Sequence, residues 1–385
     1  MGETSDRHET GEVAVFHHRF KHYGGGERVA DALADALDAD LFTLYVTDRC
    51  SDETDATPLK QDKYMSGLTG RVFRRLAVEN IARSIDVEHV DLSEYGTVIT
   101  TGDFAHFYLP TDEQRHFHYL HTPNRDYFNA PEYRALAGGR LNPVKTLYFQ
   151  WLRGRDLDHV NHVDRWLCNS EFVADRCSRF YAPPEDDISV VNPPVNWTEL
   201  GDAIPAHKRR DYWVTVGRLV PAKRLDVMMD AFRERDDRLI IAGDGRIREE
   251  LETDAPGNVE FAGYVSDEQK RELIREARGF LFAGERECFG MSVAEALSAG
   301  TPVIGVRSGN ISNMVHGGEG TLETANGALT EPTPEGFRDA IADADTTEWN
   351  HAGIREDAER YSRERFIREV QRTVTGKRSP SEVVS

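Results

Sequence analysis

Short apolar runs alternate with helical patterns along most of the chain, and this alternation constrains its fold more than any other feature. A first series of runs lies at residues 13–17, 41–46, 97–101, 118–121, 166–169 and 188–191, and a second at 213–216, 239–242, 259–262, 279–282 and 302–306. Such short runs with helices between them predict parallel strands that are covered on both faces. The sequence therefore predicts an α/β protein with two doubly wound, Rossmann-like domains.

A length of 385 residues suits two such domains. The run that ends at residue 191 is followed by NPPVNW and then by a polar stretch that reaches Arg210. We therefore expect residues 1–200 to form the first domain and residues 201–373 the second. The last helix is expected to pack back on the first domain, and residues 374–385 are expected to form a disordered tail.

Composition excludes several classes of protein. The net charge of −20 argues against nonspecific nucleic-acid binding, and the 47 basic residues include only eight lysines. This balance favours a halophilic protein over a mildly acidic one with arginine-rich codon usage. No apolar run reaches the roughly 18 residues of a membrane span, and the N-terminus is polar and acidic, so we expect a cytoplasmic protein. Free thiols are expected because no CxxC spacing occurs at Cys50, Cys168, Cys177 and Cys288.

Candidate site residues follow the predicted strands, because ligands bind beyond the carboxyl ends of strands in open α/β sheets. The loop after 213–216 carries Arg218 and Lys223, two cations near a helix start that suit a diphosphate. The loop after 239–242 carries Gly243 and Gly245, which allow close approach to a ligand or to a neighbouring loop. Taken alone, this glycine pair indicates no more than a turn before a helix.

Two acids follow the run at 279–282, and seven residues separate them. Glu287 is expected on the loop, and Glu295 about two turns into the next helix, which starts near Phe289 and Gly290. A carboxylate on the loop can accept hydrogen bonds from sugar hydroxyls, and one on the helix can accept two from a ribose. As an isolated pair, two such acids are more often solvated charges on a helix.

The surrounding sequence makes this pair specific. ERECFGMSVAEALSAGTPVIG, with GRLVPAKR and FAGYVSDEQKREL, resembles the C-terminal domain of the family 4, or group 1, glycosyltransferases. These are retaining enzymes with the GT-B fold, in which two domains face a central cleft, and the resemblance covers nearly the whole chain. The resemblance implies a nucleotide-sugar site in the second domain. Glu287 would contact the donor sugar and Glu295 the ribose, whereas Arg218 and Lys223 would bind the diphosphate. The backbone near Tyr264 and Val265 would receive the nucleobase, and Phe289 and Gly290 would belong to the same donor site.

The N-terminal half carries two further segments of this resemblance. HHRFKHYGGGERVADAL resembles the first loop and helix of the family, which implies that Gly24, Gly25 and Gly26 let the backbone approach the donor phosphates and the acceptor. FHYLHTPNRDYF resembles a segment of mannosyltransferase-like members that build lipid-linked or cell-surface glycans. It implies that His121 lies near the anomeric centre of the donor sugar, with Arg125 close by.

The sequence offers no metal site. Alternation along a strand sends His116 and His118 to one face and His121 to the other, so the three are not expected to share a metal. No DxD motif lies in a suitable position, and we expect an enzyme that needs neither metal nor other cofactor. The implied catalytic residues are His121, Glu287, Arg218 and Lys223, and the family expectation is attack on the same face as the leaving group. Asn313 stands near the position of a common family Glu, which puts that contact in doubt.

The implied reaction is transfer of a hexose, mannose in preference to glucose, from a GDP- or UDP-sugar to a lipid-linked or cell-surface glycan. Segments 67–83 and 141–155 have basic amphipathic faces that suit peripheral contact with the inner face of the membrane, although ordinary domain helices fit them equally well. Two other functions stay open: a sugar-nucleotide epimerase of the same fold, and a non-catalytic sugar-nucleotide-binding subunit of a glycan assembly complex. A phosphorylase would need a lysine-bound pyridoxal phosphate, and no segment matches one.

Overall fold

The computed structural model describes residues 12–21, 23–60, 79–124, 128, 143–196, 199, 201–317 and 325–376. The chain divides into two compact units. The N-terminal unit comprises Met1–Asn169, Val173–Val191 and Ile367–Ser385, and the C-terminal unit comprises Ser170–Phe172 and Asn192–Phe366. Each unit is built around one parallel sheet, as the alternation of apolar runs and helices predicts.

The N-terminal sheet has seven strands: β1 (Val13–His17), β2 (Asp40–Thr43), β3 (Thr57–Pro58), β4 (Thr97–Thr101), β5 (Arg115–Leu120), β6 (Arg165–Cys168) and β7 (Ile188–Val190). Their order is β3-β2-β1-β4-β5-β6-β7, and each strand is parallel to its neighbours. The order reverses between β1 and β4. Ligands of doubly wound sheets bind at such a reversal, beyond the carboxyl ends of the strands.

The C-terminal sheet has six parallel strands: β8 (Tyr212–Val216), β9 (Arg238–Ala242), β10 (Val259–Gly263), β11 (Gly279–Phe282), β12 (Val303–Val306) and β13 (Gly327–Thr330). Their order is β10-β9-β8-β11-β12-β13, so the reversal lies between β8 and β11. The loops that follow these two strands are therefore neighbours, although about sixty residues of sequence separate them. This places 217–224 beside 283–290.

Helices cover the sheets, and the cores lie between helices and sheet. The α-helices are α1 (Gly25–Leu37), α2 (Glu79–Glu88), α3 (Pro143–His159), α4 (Glu171–Phe180), α5 (Leu225–Phe232), α6 (Arg248–Asp254), α7 (Asp267–Glu276), α8 (Met291–Ser298), α9 (Ile311–Met314), α10 (Pro334–Asp345), α11 (His351–Asp357) and α12 (Arg363–Thr375). Successive strand residues enter different cores: Trp213 packs on one face of the C-terminal sheet and Val214 on the other. Burial on both faces is why these strands appear as continuous apolar runs.

Strand positions agree with the sequence prediction in most places, with two wrong ends and two omissions. The strand predicted at 118–121 begins three residues earlier, at Arg115, because the polar side chains of Arg115 and His116 hide its start in the sequence. The run at 41–46 stops being a strand at Thr43, because Leu44 and Tyr45 turn into the core. Val46 forms only a single bridge with Phe20. Strands β3 and β13 were not predicted, since β3 has two residues and the GALT segment of β13 lacks a β-branched apolar run.

The C-terminal helix returns to the N-terminal unit. Gln371 of α12 donates a hydrogen bond to the carbonyl of Ala36 at 2.8 Å, and Arg115 donates one to the carbonyl of Val374 at 3.0 Å. These bonds join the last helix to α1 and β5. Within the described residues, no helix combines the length and the apolar character needed to cross a membrane.

Candidate active site

The reversal point of the C-terminal sheet brings together two of the predicted catalytic residues. Lys223 Nζ lies 2.7 Å from Glu287 Oε2, and both side chains are about three-quarters buried. Lys223 also lies over the ring of Phe282, with its Nζ 4.8 Å from the ring centroid. The aromatic face and the carboxylate together hold the ammonium group at the sheet edge where ligands bind.

Arg218 lies on the same loop as Lys223, but it extends into solvent. Its side chain is exposed and forms no ion pair within the part of the chain that the structure describes. The loop beneath it is fixed by its backbone, since Gly217 N–H donates to Ala242 O at 3.0 Å and Leu219 N–H donates to Asp244 O at 2.9 Å. Arg218 is therefore an exposed cation on a loop whose backbone is fixed by hydrogen bonds.

Gly243 and Gly245 support this loop by backbone contact. Gly243 has φ +136°, and a Cβ there would lie 1.9 Å from Gly217 O. A Cβ at Gly245 would lie 2.2 Å from Leu219 O. Of the two possibilities left open by the sequence, these glycines approach a neighbouring loop, and the contact holds the backbone on either side of Arg218.

A second loop holds Glu287 from the other side. Asn310 N–H donates to Glu287 O at 2.9 Å, and the Asn310 amide donates to Phe289 O at 3.1 Å. A Cβ at Gly309 would lie 2.5 Å from Glu287 O, so only glycine fits there without movement. The carboxylate of Glu287 is thus presented by a backbone that is fixed at several points.

Phe289 and Gly290 contribute differently from their prediction as ligand residues. The Phe289 ring is buried and packs edge-on against Tyr361, with 5.6 Å between ring centroids. Its side chain is therefore a core residue, and only the backbone near Gly290 can face a ligand. Gly290 has φ +104° and precedes α8, whose first N–H groups have no partner within the helix.

Glu295 also has a lysine partner, which the sequence did not single out. Lys270 Nζ lies 2.7 Å from Glu295 Oε1 and 3.2 Å from Asp267 Oδ1. The chain has only eight lysines, and two of them contact the two acids of the Glu-x7-Glu element. The small number of lysines could be read from the sequence. The contact between Lys270 and Glu295 could not, because it depends on the packing of α7 against α8.

Tyr264 and Val265 form the turn between β10 and α7. The Tyr264 side chain is 86% exposed, and the backbone before it is fixed because Gly243 N–H donates to Gly263 O at 2.7 Å. Asn313 lies exposed on α9, near the position where the family commonly has a Glu. Its amide nitrogen lies 3.4 Å from Asn310 Oδ1. Asn313 therefore contacts the loop that supports Glu287.

In the N-terminal unit, His121 lies just beyond β5, and its Nε2 is 3.0 Å from Thr101 Oγ1. The glycine run that begins α1 is next to it: a Cβ at Gly26 would lie 3.8 Å from His121 Nε2. Burial lowers the pKa of His121 to about 4, although Asp103 opposes this shift. The structure thus brings Gly26 to a neutral imidazole, and Gly25 directly precedes it as the first residue of α1.

His116 and His118 lie on the other face, as the strand alternation predicts. His116 Nε2 and His118 Nδ1 each lie 2.8 Å from Thr100 Oγ1, whereas His121 contacts Thr101, the next residue of β4. Burial lowers the pKa of His116 to about 3 and that of His118 well below its usual range. Within the described ranges, no group of three or more His, Cys, Asp or Glu side chains could hold a metal ion.

Two further histidines were not singled out by the sequence. His17 ends β1 and His18 follows it, and neither ring nitrogen of either residue has a hydrogen-bond partner in the part of the chain that the structure describes. Burial lowers the pKa of His17 to about 3 and that of His18 well below its usual range. They pack over Gly102, whose φ is +95°. Arg125 lies outside the described residues, as do 67–78 of segment 67–83 and 141–142 of segment 141–155.

Two family profiles match consecutive parts of the chain. "Glycosyltransferase Family 4" matches residues 23–198, and "Glycosyl transferases group 1" matches residues 199–365. The matches leave out only the first 22 and the last 20 residues.

Curated relatives match over shorter regions. The chain is 30% identical over 147 residues to a GDP-mannose-dependent alpha-(1-6)-phosphatidylinositol dimannoside mannosyltransferase of Mycobacterium tuberculosis, which covers 34% of this chain and 37% of that protein. It is 29% identical over 191 residues to a D-inositol 3-phosphate glycosyltransferase of Thermobispora bispora, covering 42% and 45%. The chain thus matches less than half the length of these relatives.

Solved structures share the architecture of the whole chain. Anabaena HepE in complex with UDP and glucose superposes with a TM-score of 0.68 at 14% identity, over 95% of this chain and 100% of that one. Sucrose-phosphate synthase from Thermosynechococcus elongatus superposes with a TM-score of 0.67 at 14% identity, over 92% and 96%. At this identity the likeness concerns the fold. Two consecutive family matches and a shared two-sheet architecture show that the chain belongs to the family 4, or group 1, glycosyltransferases and has the GT-B fold.

Proposed function

We propose that this chain transfers a hexose, mannose in preference to glucose, from a nucleoside diphosphate sugar to a lipid-linked or cell-surface glycan, with retention of configuration. The observation that carries the proposal is the Lys223–Glu287 pair at the reversal point of the C-terminal sheet. Mannose and GDP are favoured because the mycobacterial relative is GDP-mannose-dependent.

The diphosphate is assigned to Lys223 and Arg218. One N–H of the Lys223 ammonium is used by Glu287, so two remain for phosphate oxygens. Arg218 is exposed and free to fold over the ligand and to bind it through two N–H groups. Glu287 then holds hydroxyls of the sugar, and Glu295 with Lys270 holds the ribose at the other end of the nucleotide, next to the Tyr264–Val265 turn.

The chemistry follows from this placement. The bond between the anomeric carbon and the β-phosphate oxygen breaks, and the acceptor oxygen bonds to that carbon from the same face. The acceptor proton passes to an oxygen of the leaving phosphate. Lys223, Arg218 and the N–H groups at the start of α8 stabilise the charge that develops on that phosphate, and we propose that they do so without a metal ion.

His121 has a different task, because its imidazole is neutral. With a pKa of about 4, it carries almost no positive charge at pH 7, so it acts as a hydrogen-bond partner and not as a counter-ion. Thr101 fixes one ring nitrogen, which orients the ring towards the glycine run of α1. We assign the edge of the His121 ring that faces Gly26, which carries Nε2 and Cε1, to a hydroxyl of the donor sugar.

The N-terminal unit, which we assign to the acceptor, gives a reason to expect a lipid surface. Leu147 and Trp151 are one helical turn apart on α3, and they are 69% and 45% exposed. Arg155 lies near the Trp151 ring, 5.1 Å from its centroid, and its guanidinium pairs with Glu88, so its charge is already balanced by a carboxylate. The exposed apolar side chains therefore suit shallow insertion at a lipid headgroup boundary, where Trp is favoured.

The proposal is tested by supplying labelled GDP-mannose, UDP-glucose and UDP-N-acetylglucosamine, each with and without a total lipid extract, at low and at molar KCl. We expect label from GDP-mannose to enter the organic phase only when lipid is present, and molar KCl to support the higher rate if the acidic composition marks a halophilic protein. Release of an altered free sugar without acceptor would instead identify an epimerase. Donor binding without consumption would identify a non-catalytic subunit.

A further inference from the structure

A second ion pair lies next to Lys223–Glu287. Arg224 Nη1 lies 2.9 Å from Glu285 Oε1, and Arg224 Nε lies 3.6 Å from Asp226 Oδ1. Lys223 and Arg224 are consecutive on the loop after β8, and their partners lie two residues apart on the loop after β11. Two ion pairs, Lys223–Glu287 and Arg224–Glu285, therefore link the two loops that flank the reversal point.

The backbone is left-handed on both sides of this double tie. Arg224 has φ +47° and Arg286, between the two acids, has φ +56°. Residues with a Cβ pay a conformational cost in this region, which glycine avoids. Arg224 ends the short 3-10 turn of Pro221–Lys223 and directly precedes α5, so its conformation sets the direction of the chain between them.

Stability does not account for this arrangement. Arg224 and Glu285 are each about 30% exposed, and partly exposed ion pairs add little to folding. A strained arginine that gains little in stability is a pattern found where geometry serves a ligand. Lys223 cannot keep its place without the loop that Arg224 directs.

We infer that Arg224 and Glu285 are positioning residues that set Lys223 for the diphosphate of the donor. This inference rests on the proposed function. Arg224 fixes the loop after β8 and Glu285 fixes the loop after β11, so that the Lys223 ammonium stands at the phosphate position before the nucleotide arrives. Because Lys223 meets the β-phosphate, the pair controls how much better the protein binds a nucleoside diphosphate than the corresponding monophosphate.

The test is isothermal titration of the full chain with GDP, GMP, UDP and UMP. Arg224→Gly and Glu285→Gln should each weaken binding of the preferred diphosphate about tenfold and that of the monophosphate less than twofold. The double variant should be no weaker than either single one, because both changes break the same tie. Arg224→Gly should not lower the melting temperature, since glycine relieves the left-handed backbone.

Glu260→Gln is the matched control. Glu260 accepts two hydrogen bonds from Arg238 on the neighbouring strand, away from the reversal point, so its loss removes an Arg–Glu pair of the same kind. Diphosphate affinities of Arg224→Gly and Glu285→Gln within twofold of this control would overturn the inference. Equal weakening of GDP and GMP would also overturn it, since that indicates general loss of structure.

Lys223→Met separates this inference from the proposed function. If Lys223→Met removes the preference for diphosphate while Arg224→Gly keeps it, the proposed site stands and only the positioning role falls. If Lys223→Met leaves the preference unchanged, or if the unaltered chain binds neither GDP nor UDP, the proposed function falls first and the inference with it.

Discussion

The two units carry chemically opposite groups at equivalent places in their sheets. At the reversal point of the N-terminal sheet stand the buried imidazoles of His17 and His18 and the half-buried one of His121, whose pKa values desolvation holds far below their usual range. At the reversal point of the C-terminal sheet stand partly exposed ion pairs, of which Lys223–Glu287 is the central one. One unit therefore offers neutral hydrogen-bonding groups, and the other offers full charges.

Under the proposed function, this difference suits the different chemical groups of a nucleotide sugar. A diphosphate needs cations, which stay charged only where water or a counter-ion supports them, and the C-terminal loops provide both. A sugar needs donors and acceptors without net charge, which a buried imidazole supplies. Two sheets whose strand order reverses in the same way thus carry groups of different charge, and the burial of each side chain accounts for the difference.

Acidification should distinguish the two units most strongly. Six histidines of the N-terminal unit have lowered pKa values, namely His17, His18, His116, His118, His121 and His159, against His316 and His351 of the C-terminal unit. The unfolded chain binds protons on these groups from about pH 6.5 downwards. In the folded chain, His17, His116, His121 and His351 do not bind them until about pH 4 or below. The free energy of unfolding therefore falls with pH in this window, by up to about 2 kcal/mol for each buried group between pH 7 and pH 5.

Pulsed hydrogen exchange at pH 7, 6 and 5, followed by mass spectrometry of peptides, measures this unit by unit. Peptides from β4 and β5 should lose protection before peptides from β9 and β11. His207→Gln is the control, because His207 is exposed and should leave the profile unchanged. Simultaneous loss of protection in both units, or earlier loss in the C-terminal one, would contradict the comparison.

Removal of the charged group should be the next largest effect. Lys223→Met should lower the turnover rate by about 10²- to 10³-fold, since the ammonium stabilises charge that develops on the leaving phosphate. Initial rates of labelled mannose transfer measure it, with Lys208→Met as control, because Lys208 is an exposed lysine of the same unit. A change of less than tenfold would mean that the charge needed for departure comes from elsewhere.

The glycines of the two units should respond in opposite ways to alanine. Gly243→Ala would place a methyl group 1.9 Å from Gly217 O at φ +136°, and should destabilise the C-terminal unit by about 3 kcal/mol. Gly26→Ala meets only an ordinary contact with His121 inside α1, and should leave unfolding unchanged or raise its free energy by up to about 1 kcal/mol. Its cost should appear in transfer, about tenfold, because the methyl group fills space beside His121.

Urea unfolding curves and transfer rates of both variants decide this. If Gly26→Ala unfolds as easily as Gly243→Ala, the N-terminal glycines serve packing and not ligand approach. If Gly243→Ala retains full stability, the backbone contact that supports the Arg218 loop is not needed.

The fold and the ends of most strands could be predicted from the sequence because two-sided burial gives each strand a compact apolar signature. Glu287, Lys223 and His121 lie on loops that follow strands, and the resemblance to the family singled them out among the residues of those loops. The ion pairs between these loops could not be predicted from the sequence. Lys223 meets Glu287 because β8 lies beside β11 and not because of spacing, and strand order is a property of the whole sheet.

Two other features depend on packing that no local pattern reports. Phe289 stands in the middle of the family segment, yet its ring is in the core against Tyr361. The sequence analysis did not single out His17 and His18, yet both side chains are buried, and their ring nitrogens have no hydrogen-bond partner among the described residues. In both cases the identity of the residue is compatible with exposure and with burial, and only the tertiary contacts decide.

The smallest expected effect concerns the acceptor side. Trp151→Ser and Leu147→Ser should each weaken binding to lipid vesicles about five- to tenfold, because each removes an apolar group from the boundary region. Vesicle flotation measures this, and Leu109→Ser is the control, as Leu109 is also exposed (43%) but lies on a loop and not on α3. With a net charge of −20, the chain should bind neutral phosphatidylcholine vesicles as well as anionic ones, and high salt should not release it. Binding that requires anionic lipid and disappears in salt would show that α3 acts through its arginines, and the N-terminal unit would then use charge after all.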